Sequence, residues 1–404
     1  MINLELPTAL SNVETTMRNI GLSLFRPISR KYDKQEHDTP VELEIMRRGA
    51  AADPRNNSKG SNSPGQREAP VKRENKNGRA MQAVITTEAL CYGDVGLLLS
   101  IPGQGLGNAA IGAAATDEQK ERFGKCYASM AITEPASGSD SGSISTTARL
   151  DGDEWVLNGE KIFVTAGQRC DTVVVWATLD KSAGKAAIKS FVVPKGTPGM
   201  ELVGLEHKLG IRASDTATIR FENCRIPKGN ILGSAEVKTG DKKGGFGKVM
   251  QTFDNTRPGV ASMSIGVSRA ALDLTYEILK AESGFELSFD KPLWDSSALE
   301  AELYRMEADY EAARLLVLRA AWMADNGQPN SMEASMCKAK AGRVGNAITL
   351  RCVELCGSVG YSEAQLLEKF ARDSKILDIF EGTQQIQQLI VARRLLNKSS
   401  AELK

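Results

Sequence analysis

Hydrophobic and polar positions along this 404-residue chain follow two different periods, arranged in three blocks. From Ala9 to about Lys125 apolar residues recur every three to four positions, including Met81–Leu99, which predicts amphipathic helices. The stretch 49–79 interrupts that pattern with Pro, Gly, Asn, Ser, Lys and Arg. Such a composition buries too little apolar surface to offset the entropy of ordering, so a mobile insertion is expected there. From Tyr127 to about Ile231 the period drops to two, predicting strands over Ser129–Thr133, Thr146–Leu150, Glu154–Leu157, Lys161–Thr165, Thr172–Thr178, Ala187–Val193 and Thr216–Phe221. Asp151-Gly152-Asp153 between two of these runs is a hairpin signal. After a Gly/Lys-rich linker at Lys238–Gly247 the helical period returns, over about Phe246–Lys280, Ser296–Asn326, Met332–Cys356, Ala364–Ile379 and Gln384–Asn397.

Length and charge narrow the functional classes. A chain this long is expected to form two or three domains with room for a cleft between them. The 51 basic and 50 acidic side chains leave a net charge of +1. That balance disfavours a nucleic-acid or membrane-surface protein, both of which carry a one-signed field. No run approaches the ~20 apolar residues of a membrane span, and no basic, apolar leader is visible, so a soluble cytoplasmic protein is expected. Seven cysteines form no Cys-x-x-Cys pair. With His37 and His207 as the two histidines, neither a zinc centre nor a His-based triad is expected. The glycines at Gly103-Gln104-Gly105-Leu106-Gly107 and Gly244-Gly245-Phe246-Gly247-Lys248 match neither the dinucleotide fingerprint nor the P-loop and read as turns.

Candidate chemistry centres on Glu381, in Ile379-Phe380-Glu381-Gly382-Thr383-Gln384-Gln385-Ile386-Gln387. A carboxylate on a Gly-flanked turn between two helical patterns can project a base into a cleft. Upstream lie Met130-Ala131-Ile132-Thr133-Glu134-Pro135-Ala136-Ser137-Gly138-Ser139-Asp140 and Asn158-Gly159-Glu160-Lys161-Ile162-Phe163-Val164-Thr165. Together these three segments resemble the acyl-CoA dehydrogenase family, over about Thr116 to the C-terminus. The resemblance implies an α+β fold: an N-terminal helical domain (1–125), a middle β-barrel or sandwich (126–236) and a C-terminal four-helix bundle (237–404).

It also implies FAD as cofactor, an acyl-CoA thioester as substrate and an electron-transferring flavoprotein as electron acceptor. Glu381 would abstract the α proton while a hydride passes to flavin N5. The Glu381 backbone N–H and a flavin ribityl hydroxyl would hold the thioester oxygen, with Gly382 also beside the substrate. Ile132 and Thr133 would serve one polar edge of the flavin, and Val164 and Thr165 the edge carrying N5 and O4. Phe163, where many members have Trp, would cover the ring, and Thr383 and Gln385 would contact the same flavin. Ser139 would lie near the pantetheine or diphosphate. In Phe253-Asp254-Asn255-Thr256-Arg257-Pro258, Asp254 would contact CoA and Arg257 either contact it or anchor the catalytic loop. Some branches carry the base where Thr256 stands; Thr256 cannot act as one, which leaves Glu381.

The family completes each flavin site with an Arg and a Gln from a neighbouring subunit. Here Glu286 falls at the Arg, Ser297 at a following Gln, Glu354 at the second Gln and Ser358 at a Gly. Carboxylates facing a diphosphate repel it, so a heteromeric α2β2 tetramer with a related subunit is expected in preference to a homotetramer. An acyl-CoA oxidase and a flavin-poor structural subunit are the alternative readings.

Overall fold

A computed structural model describes residues 5–45, 76–101, 105–237, 245–288, 290, 292–399 and 402. Most of the expected insertion at 49–79, Gly103 and Gln104, linker residues 238–244, Phe289 and Lys291 lie outside the described residues, as do the side chains of 245–255, Asp254 among them.

Among the described residues, the helices before the strands include α1 (Thr8–Ile20), α2 (Arg26–Lys34), α3 (Arg79–Cys91), α4 (Val95–Leu99), α5 (Leu106–Ala114) and α6 (Asp117–Phe123). Those after the strands include α7 (Gly245–Ser283), α8 (Ala298–Asp325), α9 (Ser331–Leu355), α10 (Gly357–Tyr361), α11 (Leu367–Ile376) and α12 (Gln384–Leu396). Their starts follow local chemistry. Thr116 accepts from the Gln119 N–H at 3.3 Å while Gln119 Oε1 accepts from the Thr116 N–H at 3.1 Å, a capping box that opens α6. Ser297 makes the same box with Glu300 and starts α8. The helices on both sides of the strands share one core: Met81 and Val84 of α3 pack in a single cluster with Ala261 and Ile265 of α7, Leu303 and Tyr310 of α8 and Ala341 of α9.

The middle block contains strands β1 (Ala128–Ala131), β2 (Thr147–Asp151), β3 (Glu154–Thr165), β4 (Thr172–Thr178), β5 (Ile188–Pro194), β6 (Met200–Leu205) and β7 (Thr216–Pro227). They form one mixed sheet in the order β1-β4-β2-β3-β7-β6, with β5 pairing β4. The sheet curls over its own face: Trp155 of β3 meets Phe191 of β5 edge to face, 5.3 Å between centroids, although the two strands do not pair.

Two strand expectations are corrected. The runs at 154–157 and 161–165 are one strand, because Gly159, at φ +150°, carries the chain through a register shift instead of ending it. A side chain there would meet Thr146 Oγ1 at 2.4 Å. β6 had no visible period, since as an edge strand paired to β7 alone it leaves Glu201, Leu202 and Val203 exposed.

A buried ionic junction sets the sheet against the helices. Lys369 Nζ of α11 lies 2.6 Å from Asp94, which caps α4, and 2.5 Å from Asp373. Ser29 of α2 donates to the same Asp94 carboxylate, and the Ile211 N–H, from the loop between β6 and β7, donates to Asp373 Oδ1 at 2.6 Å. Breaking one member of such a buried network costs about 3–5 kcal/mol, so the orientation is strongly specified.

Candidate active site

Glu381 occupies the turn between α11 and α12, with its backbone in the left-handed region at φ +55° and Gly382 following at +92°. A non-Gly residue held there stores ~1 kcal/mol or more and persists when neighbours over-determine the turn. The neighbours are identifiable. Lys338 Nζ donates to the Gly382 carbonyl at 2.6 Å, and Gln387 Nε2 donates to the Glu381 and Gly382 carbonyls at 3.0 and 3.2 Å. At φ +92° any side chain is strained, and a Cβ on Gly382 would also sit 2.4 Å from Gln387 Nε2, which would have to give up its place on the turn.

Burial pushes the Glu381 carboxyl above the usual carboxylate range, while a hydrogen bond from Thr256 and the charges of Arg257 and Lys338 pull it back. The Thr256 hydroxyl donates to Glu381 Oε2 at 3.2 Å. Lys338 is itself driven down to about 8 by burial, against the pull of Asp378 and Glu381. Arg257 is buried, 3.5 Å from Ser335 Oγ of α9. The backbone N–H of Glu381 donates to no other described residue.

A second constellation lies where β1 ends beside β3. The Ile162 N–H donates to the Thr133 carbonyl at 2.9 Å, and Lys161 Nζ donates to the Ile132 carbonyl at 3.1 Å and to Glu134 Oε1 at 2.7 Å. Glu134 also accepts from the Ser145 N–H and hydroxyl and from the Thr146 N–H. Burial raises its carboxyl, but these donors outweigh that and leave it at about 2. Lys161 is lowered by burial to about 8 despite Glu134. Thr-Glu-Pro is thus neither a helix start nor a free surface turn: Glu134 pairs across a tight bridge with Ser137, and its side chain ties three segments together. Between Lys161 and Val164 the β3–β7 register shifts, and Phe163 adopts φ +56° with 59% of its surface exposed. An aromatic turned outward by a bulge, flanked by Thr133 and Thr165 hydroxyls that bond no other described residue, suits the face and polar edges of a planar ring.

Hydrogen bonds join the two constellations. Asp215 accepts from the Ala166 N–H through its backbone carbonyl and from the Gln168 N–H through its carboxylate, just after Thr165. The Ser214 N–H bonds the Ile211 carbonyl, and Ile211 bonds Asp373 of α11, the helix that leads to Glu381.

Other expected residues fall as follows. Thr383 caps α12, accepting from the Ile386 N–H at 3.5 Å, and Gln385 is exposed on its first turn. Val164 is buried in the sheet core. Ser139 is exposed on the loop between β1 and β2. Lys338 and Gln387 escaped the sequence reading. The available signal for Lys338 was a lysine in line with Ala334, Ala341, Gly342 and Gly345, the buried stripe of α9.

The two carboxylates expected at the family's Arg and Gln positions carry their own counterions: Glu286 lies 2.6 Å from Lys280, and Glu354 lies 2.5 Å from Arg351. Repulsion of a diphosphate at these positions is correspondingly weaker than their identity alone suggests. Among the described residues no helix is long and apolar enough to cross a membrane.

Comparison with known proteins bears on the family. Residues 129–224 match the family model of the acyl-CoA dehydrogenase middle domain, and residues 243–396 that of the acyl-CoA dehydrogenase C-terminal domain. Over 287 residues the chain is 40% identical to the short-chain specific acyl-CoA dehydrogenase, mitochondrial, of Bos taurus, covering 70% of this chain and 67% of that protein. The match to the Mus musculus counterpart covers 62% of its length. The caffeyl-CoA reductase-Etf complex subunit CarC of Acetobacterium woodii is 36% identical over 80% of this chain and 84% of its own. The solved structure of butyryl-CoA dehydrogenase from Megasphaera elsdenii superposes with a TM-score of 0.81 at 28% identity, covering 98% of this chain and all of that one. The chain belongs to the acyl-CoA dehydrogenase family of flavoprotein oxidoreductases.

Proposed function

We propose that this protein catalyses α,β-dehydrogenation of an acyl-CoA thioester with Glu381 as the base. The observation that carries the reading is the Glu381 turn: a carboxylate with a raised pKa, fixed through its own carbonyl, beside a backbone N–H with no other described acceptor. A base of this kind takes the acidic α proton, and an N–H directed at the thioester oxygen stabilises the charge that develops there. Lys338 and Gln387 hold the turn, and Thr256 orients the carboxylate.

FAD fits the Thr133, Phe163 and Thr165 constellation, where the two hydroxyls would serve its edges and the Phe163 ring its face; Ile132, Val164, Thr383 and Gln385 complete the set. When bound, the flavin supplies the acceptor for the hydride that leaves the β carbon. Ser139, Asp254, Arg257 and Gly382 are assigned to the CoA and thioester portions. An electron-transferring flavoprotein is the proposed electron acceptor, supported by the Etf complex in the name of the Acetobacterium relative. A tetramer with a related subunit is the proposed assembly, because the paired Glu286 and Glu354 still offer a diphosphate no donor of their own.

The test is Glu381→Gln, purified with any partner subunit and assayed with butyryl-CoA and an artificial electron acceptor. Flavin content should be retained and turnover should fall by roughly 10²–10⁴-fold, the span of general-base catalysis. Turnover within a few fold of the parent overturns the assignment.

A further inference from the structure

The two histidines of the chain, in segments far apart in sequence, meet on one surface. Their rings lie edge to face with centroids 4.9 Å apart, beside Glu36. We propose that Glu36, His37 and His207 form a binding site for a zinc-class divalent cation, clamping the chain just after α2 to the segment just after β6.

One potential ligand atom from each of the three residues lies within 4.8 Å of the other two. Donors bound to zinc at 2.0–2.1 Å in tetrahedral geometry stand about 3.4 Å apart, so a modest closure is required. The side chain of His207 is 84% exposed and already reaches Glu36. His37 is the better-fixed ligand, with its backbone in the left-handed region at φ +77°. Both of its ring nitrogens are buried without a hydrogen-bond partner among the described residues. Buried polar atoms left in that state need an explanation, and a cation supplies one.

Glu36 is held as a ligating carboxylate is held. Its Oε1 accepts from the Lys208 N–H at 2.8 Å, and its Oε2 lies 3.0 Å from His207 Nδ1. Lys208 Nζ stands 3.9 Å from Glu36 Oε1 and competes with a bound ion for that oxygen. Two imidazoles and one carboxylate favour zinc, nickel or copper over magnesium or calcium, which take oxygen donors. The fourth position would face water. From His207 the chain runs directly into Ile211 and Asp215, the residues that join the Thr165 end of β3 to α11. Metal binding would therefore stiffen the joint between the two constellations of the active site.

The experiment uses the full chain with any affinity tag removed, stripped with a chelator and titrated calorimetrically with zinc chloride, alongside its His207→Gln and His37→Gln variants. One ion per chain is expected, at micromolar affinity or tighter, with at least tenfold weaker binding in each variant and a melting temperature that rises with zinc in the parent alone. Magnesium should give no saturable signal. His207 is exposed, so its variant should fold even if the His37 variant does not. Absence of saturable zinc binding, or zinc binding unchanged in His207→Gln, overturns the proposal; the second outcome would direct attention to the cysteines.

Discussion

Lys161→Met tests how the Ile132–Glu134 segment is held against β3. The side chains of Lys161 and Glu134 are 0% and 2% exposed, 2.7 Å apart. Glu134 is lowered from 4.5 to about 2, which corresponds to about 3 kcal/mol in favour of the folded state. Lys161 is lowered from 10.5 to about 8, a cost of about the same size. Both shifts contain the same Lys161–Glu134 attraction, so they do not add; a buried ion pair commonly contributes little net at neutral pH. Its removal from one side is another matter. Met at 161 leaves a buried carboxylate with its Ser145 and Thr146 donors but no countercharge, at a cost of about 3 kcal/mol. Lys161→Met with Glu134→Gln removes both charges and should return to within about 1 kcal/mol of the parent.

The signs with pH follow. The Glu134 contribution is present above pH ~4.5 and lost as pH falls towards 2, whereas the Lys161 penalty is present below pH ~8 and relieved between ~8 and ~10.5. Stability of the parent relative to the double variant should therefore fall in acid and rise in that alkaline window. The assay is urea unfolding at pH 7 followed by tryptophan fluorescence, which samples the buried Trp155 and Trp176 of the sheet. A single variant that loses less than about 1 kcal/mol, or a double variant as unstable as the single, would refute the reasoning.

Other outcomes are expected at the turn and the bulge. Thr256→Val removes a donor that holds the Glu381 pKa down. Because the base must be ionised, the acid limb of the pH–rate profile should move to higher pH; an unmoved limb would separate Thr256 from the base. Gly382→Ala forces a side chain into φ +92° and onto Gln387, and should cut turnover at least tenfold with a stability loss of ~1–3 kcal/mol, checked by assay and melting of the same sample. Lys338→Met should lower kcat while leaving KM for butyryl-CoA within a few fold, because Lys338 touches the turn and acts through Glu381; a change confined to KM would place it on the substrate instead. Phe163→Ala, at an exposed position, should alter stability by less than ~1 kcal/mol yet lower the flavin absorbance per chain, and full flavin retention would remove Phe163 from the ring face.

The order of helices, strands and helices was legible because periodicity is a local property, written in side chains two to four positions apart. The run Thr172–Thr178 was read with its observed bounds, since its residues are buried on both faces of the sheet. Glu381 was singled out by a contiguous motif, and Thr133, Phe163 and Thr165 by two more. What lay beyond reach were relations between distant segments. That Lys161 neutralises Glu134, that Lys338 secures the Gly382 carbonyl and that Thr256 touches Glu381 depend on where helices and strands dock. So does the meeting of Glu36 with His207, 171 positions apart. Seen in sequence, two histidines are too few for a metal centre; only the junction of α2 with the end of β6 puts them side by side. The sequence by itself determined which elements form and which motifs they carry, because backbone hydrogen bonding and amphipathic burial act over a few residues. The tertiary structure decided which charges are paired, which backbone groups stay available and which ligand atoms converge, because those depend on close packing of surfaces that no local pattern encodes.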